Sequence, residues 1–379
     1  MTIFHVVFHL PPRAPSATAR GAMGNDATGG PDLIGIAAPA PLPSASSDVT
    51  RSPAIGVLVL ALVLGGLITY KASSALQAVA KTQRLGTMSP KAAWIATADL
   101  PSWLRPLAGT ANYFAWVGVA LAFGLVLGAL VQALAPERLV RSPGLRGPSG
   151  QLVAVLAGAP LMLCSCCVAP LFDGLYARTR RLDVALSLMF AAPGLNPAAI
   201  FLTFLLFPTH LAVSRLILAL LIVVGLSAAL GRIPRSDSFP ARPAEEPVER
   251  GFLVTFATSL RDVTYRTMPA IALGVIASVV LMQVAPFGVI GAGGRGAPLL
   301  LVALLAVLVA LPTFGEIPIA LALLAAGASE AVALSVLVAG PIVNLPSLLT
   351  LRRRVSLAMA VVTGLSVYLV TLAGAALLA

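Results

Sequence analysis

Residues 170–196 read PLFDGLYARTRRLDVALSLMFAAPGLN, and residues 318–344 read PIALALLAAGASEAVALSVLVAGPIVN. At a constant offset of 148, Pro170 falls on Pro318, Val184-Ala185-Leu186-Ser187 on Val332-Ala333-Leu334-Ser335, Pro193 on Pro341 and Asn196 on Asn344. Apolar helices look alike through Leu and Ala alone, but helix breakers and an asparagine held in register do not arise so easily. A duplication is therefore expected, with one repeat half over residues 112–231 and the other over 262–379. The apolar stretches that hold the first copy, 151–177 and 182–207, are each interrupted near the middle. Membrane transporters are commonly built this way, with solute held by discontinuous helices where the halves meet, although a duplication kept for packing alone gives the same register.

The rest of the chain sets that pair in lipid. Of 379 residues, 58% are hydrophobic and 10% charged, with a mean hydropathy of +0.96. Soluble domains carry roughly 25% charged residues, so an ordinary soluble enzyme is excluded. Nine apolar segments are legible: 54–70, 113–134, 151–177, 182–207, 211–230, 268–284, 298–326, 331–351 and 355–378. A span needs about 20 apolar residues, and the Leu/Ala/Val-rich composition lacks the alternation of outer-membrane strands. The fold expected is all-α: a polytopic membrane helix bundle with two internal repeats and discontinuous helices. The net charge of +11 comes from arginines between the apolar runs. There they set topology and meet anionic lipid headgroups, so no nucleic-acid partner is expected.

Outside the halves, residues 1–50 read as a disordered tail, and 51–111 as a first transmembrane helix and an interfacial loop holding Trp94 and Trp103. Residues 232–261 read as a polar linker leading into a segment, 251–266, that lies on the membrane surface. Arg215 is expected to snorkel to the headgroups. Counting nine crossings puts Lys71 to Arg105, Arg178 to Arg181 and the linker on one basic side, but leaves Arg352 to Arg354 on the other. That conflict points to a segment that enters and turns back, and leaves the number of crossings open.

The breaks carry the chemistry. Pro170 reads as the start of a half-helix, since proline is harmless at a first helical position and disruptive further in. Pro318 is its counterpart. Cys164, Cys166 and Cys167, the protein's three cysteines, then sit beside a helix N-terminus, which favours thiolate. Three soft ligands suit Cu(I) and, by the same logic, trivalent arsenic. Cysteine is also a small apolar residue suited to tight packing, and both readings stand. A closed zinc site needs a fourth ligand. Asn196 with Pro197, and Asn344 with Pro346, read as N-caps of half-helices beyond Pro193 and Pro341, with solute contact compatible with capping. Glu316, a carboxylate inside an apolar run, is a candidate for proton or cation coupling. Asp173 is a weaker candidate, with Arg178 as its expected partner.

These residues resemble a family of predicted permeases that includes the organoarsenical efflux permeases, which carry Cys-Ser-Cys before a proline and a Pro-x-x-Asn-Pro break after it. The likeness covers about residues 110–379, through Cys164-Ser165-Cys166, Pro170, Pro193, Asn196-Pro197, Pro341, Asn344 and Pro346. It implies a multi-pass permease of the cell (inner) membrane, with trivalent organoarsenicals as one known cargo. Cys167 and the stretch Pro312-Thr313-Phe314-Gly315-Glu316 depart from the pattern of some relatives. The function expected is movement of a small solute, as efflux of a thiophilic metalloid or metal species, with proton coupling through Glu316. No cofactor and no enzymatic activity are expected. Two other readings are a membrane thiol-disulfide carrier and a non-transporting scaffold.

Overall fold

The computed structural model describes residues 53–88, 92–97, 99–134, 148–233, 252–284 and 296–378. The tail at 1–50, the loop with Arg138, Arg141 and Arg146, and linker residues 234–251 lie outside the described residues. Among the described residues all regular structure is helical, as expected where backbone groups have no water to bond.

Among the described residues there are thirteen helices: α1 (Pro53–Leu85), α2 (Arg105–Leu134), α3 (Pro148–Gly158), α4 (Ser165–Thr179), α5 (Leu182–Gly194), α6 (Pro197–Leu206), α7 (Thr209–Gly231), α8 (Phe252–Val284), α9 (Ala297–Leu308), α10 (Glu316–Ala325), α11 (Glu330–Ile342), α12 (Leu345–Arg354) and α13 (Leu357–Leu378). Helices α1, α2, α7, α8 and α13 are long and apolar enough to cross a membrane. The pairs α5–α6 and α11–α12 raise the number to seven if each counts as one bent span. Helix α8 is continuous, so residues 251–266 from Phe252 onward and the run at 268–284 belong to one element, with Pro269 inside it.

Two of the nine apolar segments hold no helix long enough to cross a membrane by itself. Residues 148–179 and 297–325 are divided into helices of 15 residues or fewer by breaks at 162–164 and 309–315. At 1.5 Å per residue, the 11-residue α3 rises about 16 Å, half of a hydrocarbon core. It then gives way to a 3₁₀ turn, Ala159–Leu161, opened by Ala159-Pro160. Met162 and Phe314, at the two breaks, adopt left-handed backbone conformations with φ of 50° and 68°. For residues with a Cβ this costs about 1–3 kcal/mol each, and such strain clusters at functional sites.

Contacts near the helix ends sort the charges by face. Arg178 donates to the carbonyls of Gln132 (2.5 Å) and Ala133 (3.4 Å), bringing the C-terminal ends of α4 and α2 together. Gln151, in the first turn of α3, donates to Ser227 near the end of α7 at 3.3 Å. Arg353 donates to the Arg266 carbonyl at 3.4 Å, and Arg354 pairs with Asp173 of α4 at 3.1 Å. The Arg352–Arg354 cluster therefore shares a face with Arg178–Arg181. Arg105 opens α2 at the other end, about 40 Å of helix away from Gln132, so the loop that leads to it belongs to the opposite face. This grouping differs from the one that nine full crossings give, and it fits the conflict at Arg352–Arg354 that points to a segment that turns back.

Close backbone approach locks α4 to α2. A Cβ on Gly124 would lie 2.0 Å from the Cys167 carbonyl oxygen, and one on Gly128 would lie 2.4 Å from that of Pro170. Small residues four apart permit this approach, which drives helix association in lipid. Gly124→Ala is therefore expected to destabilise the protein by about 1–3 kcal/mol through overpacking. Gly118→Ala, on the same helix with open space around it, should be nearly silent. Thermal unfolding in detergent compares the two.

Candidate functional site

The four chain breaks converge. One cleft is bordered by Cys164 from the first break, Thr313 and Glu316 from the second, Pro193 and Asn196 from the α5–α6 bend, and Pro341 from the α11–α12 bend. Its free space is about 10 Å³, room for a single water. Both bent pairs turn by 41°. Each bend follows from a proline near the end of the first helix and a cap that restarts the next.

Asn196 is the N-cap of α6: its side-chain oxygen accepts from the N–H groups of Ala198 (3.1 Å) and Ala199 (3.3 Å), with Pro197 at the first helical position. Asn344 caps α12 by accepting from the Ser347 N–H at 3.1 Å, while Ser347 Oγ accepts from the Asn344 N–H at 3.0 Å. Pro346 lies in the first turn of α12. The two asparagines differ in placement, because Asn196 borders the cleft and Asn344 is fully buried away from it.

Pro170 does not start a helix. Helix α4 begins at Ser165 with Cys164 as its N-cap, and Pro170 sits inside it. A proline there removes one bond, to the Cys166 carbonyl, and the helix tolerates the loss. Pro318 lies in the first turn of α10, where its missing N–H would have been unpaired anyway. Cys166 and Cys167 thus occupy the first turn of α4. The Cys164 carbonyl accepts from the N–H groups of Cys167 and Val168, both at 3.0 Å.

The three thiols are buried and free of disulfides, and their sulfurs all lie within 4.8 Å of one another. Cys164 Sγ is 3.2 Å from Cys166 Sγ, which is 3.8 Å from Cys167 Sγ and 3.1 Å from the Tyr113 hydroxyl of α2. Three soft donors within one ion's reach fit a three-coordinate thiophile and fall short of the four ligands of a closed zinc site. Cys164 faces the cleft, and the other two stand behind it.

Glu316 is paired. Arg215 of α7 donates from Nη2 to Glu316 Oε1 at 3.0 Å and from Nη1 to the Thr203 hydroxyl of α6, with Arg215 1% and Glu316 3% exposed. Arg215 does not snorkel, because a full-strength partner inside the bundle replaces the headgroup water it would otherwise seek. It is a site residue whose role sequence reasoning missed, as are Tyr113 beside the thiols and Thr203. For Arg215 the available signal was a charge within an apolar run, which must find an opposite charge. Asp173 likewise pairs with Arg354, not with Arg178, whose guanidinium serves the end of α2. The Arg354 guanidinium also stands 6.0 Å from the Tyr176 ring centre. Both buried pairs join a helix before the 234–251 linker to one after it.

Residues 109–378 match the model of a family described as "Predicted permease". The UPF0718 protein YraQ of Escherichia coli (strain K12) is 30% identical over 270 residues, covering 68% of this chain and 76% of that protein. The UPF0718 protein MJ0584 of Methanocaldococcus jannaschii is 29% identical over 108 residues, or 25% of this chain and 30% of that one. No solved structure matches the chain. With its helical bundle, its membrane-spanning helices and a family match over most of its length, the chain is a multi-pass integral membrane protein and belongs to this predicted permease family.

Proposed function

We propose that the protein moves a small thiophilic solute, a trivalent metalloid or soft metal species, out of the cell by alternating access at the cleft where the four breaks meet. The observation that carries this reading is the placement of Cys164, Asn196 and Glu316 around one cleft, drawn from three separate segments of the chain. A trivalent arsenical bearing As–OH groups binds a thiol by condensation: the S–H proton leaves with the hydroxyl as water, and an As–S bond replaces As–O. Cys164 meets the solute first, and Cys166 and Cys167 complete the sulfur set.

The two-repeat reading, with halves near 112–231 and 262–379, is supported by the matched element order. Each half holds a long helix, two short helices separated by a break, a pair bent by 41°, and a closing span. The first pair of short helices has both outer ends at the arginine face. The N-terminal end of α11, which follows the second pair, is tied by Glu330 to His210 at the start of α7, at 2.7 Å. This arrangement favours two hairpins that enter from opposite sides and seven crossings. By the positive-inside rule the arginine face is cytoplasmic. The membrane is the cell (inner) membrane, and transport rather than enzymatic turnover is the activity.

Glu316 couples the cycle to protons in this reading. Binding a proton removes the charge that holds Arg215, loosening α7 from α10. Uptake of radiolabelled arsenite into inverted vesicles, with and without an imposed pH gradient, tests this. Gradient-stimulated uptake is expected in wild type and loss of the stimulation in Glu316→Gln. Equal stimulated rates in the two would remove the coupling.

A further inference from the structure

A second cavity lies beside the first. It has about 230 Å³ of free space and is bordered by Lys71 and Lys81 of α1, Trp116 of α2, Met162 of the first break, and Thr313 and Phe314 of the second. Thr313 and Phe314 also border the thiol cleft, so the two spaces share a wall. Lys71 and Lys81 lie on one face of α1, together with Ser74, Ala78 and Thr82. The residues matched by the family model begin at 109, after α1 has ended.

Lys71 is 8% exposed. Its Nζ donates to the Thr313 hydroxyl at 3.3 Å, and among the described residues no carboxylate lies within ion-pair reach. The buried acids are taken: Glu316 by Arg215 and Asp173 by Arg354. The Cys164 thiol borders the cleft beyond the shared wall. An ammonium has three donors and one is used here. A cation buried within a membrane protein is costly unless paired, and this one borders a cavity large enough for a small organic molecule.

We propose that this cavity is an anion-binding antechamber to the thiol cleft. It takes the phosphonate, sulfonate or carboxylate of a small amphipathic anion between Lys71 and Lys81, with the apolar part of that molecule against Trp116 and Phe314. The anionic group comes either from a free organic solute or from the phosphate of a lipid headgroup. The site stands on Lys71 and its cavity and does not depend on the thiols binding a metalloid.

The test uses the full-length protein in phosphatidylcholine nanodiscs, titrated with phenylphosphonate and followed by calorimetry and tryptophan fluorescence. Saturable binding is expected. It should weaken roughly tenfold or more in Lys71→Met, about 1.4 kcal/mol or above, and return in large part in Lys71→Arg. Lys81→Met, at an exposed position that does not threaten folding, should weaken binding in the same direction. Benzyl alcohol, the ring without the charge, should not compete. Nanodiscs containing phosphatidylglycerol separate the sources. Undiminished phenylphosphonate binding there assigns the site to a free solute, and displacement that depends on Lys71 assigns it to the headgroup. Equal phenylphosphonate binding by wild type and Lys71→Met overturns the proposal, as does a protein that binds neither phenylphosphonate nor phosphatidylglycerol.

Discussion

Replacing Arg215 by leucine is expected to cost the folded protein about 3–5 kcal/mol, because it leaves the buried Glu316 carboxylate without its counter-charge. Glu316→Leu should cost a similar amount by stranding the guanidinium. Both groups are almost entirely buried and 3.0 Å apart, so neither is rescued by solvent. The double variant Arg215→Leu/Glu316→Leu should regain most of the loss, since two apolar side chains of similar reach often replace a buried pair at little cost. Chemical unfolding in detergent micelles gives the cycle. Additive losses in the double variant would mean that the pair does not act as one unit. In the transport assay the double variant should be stable yet inactive, which separates a latch that must open and close from a simple brace.

The second large effect concerns the sulfurs. Cys164→Ser is expected to weaken binding of arsenite or Cu(I) roughly 100-fold or more, since groups that merely support a ligand are worth about 10–100-fold. Tyr113→Phe removes such a supporting group, the hydroxyl 3.1 Å from Cys166 Sγ, and should cost about 10-fold. Equilibrium dialysis of the reduced protein measures both. Full affinity in Cys164→Ser would assign the cysteines to packing, which their burial also permits.

Much of this was legible in the sequence because it is local. A proline or an Asn-Pro pair inside an apolar run states where a helix ends and how the next begins, and Asn196 and Asn344 cap helices at the positions their neighbours dictate. Clustered cysteines need no fold to be adjacent. Hydropathy, by contrast, measures whether a stretch suits lipid but not whether it crosses or turns back. Residues 148–179 and 297–325 therefore read as stretches long enough to span, and the sides of the arginines stay open until contacts across the bundle are known. Pairings across the molecule leave no local trace. Nothing near Arg215 names Glu316, 101 residues away. Nothing near Asp173 prefers Arg354 to the closer Arg178. Lys71 looked like a loop-side charge because α1 runs on to Leu85, past the end of its most apolar stretch.

The single measurement that bears most directly on a solute path through the cleft is two-sided labelling of Cys164. A membrane-impermeant maleimide is applied to the outer or the inner face of sealed vesicles holding the wild-type protein during turnover, and modification of Cys164 is read by peptide mass spectrometry. Labelling from either face, blocked by arsenite, is the expected result. Labelling confined to one face under all conditions, or only by a lipid-soluble maleimide, would contradict it.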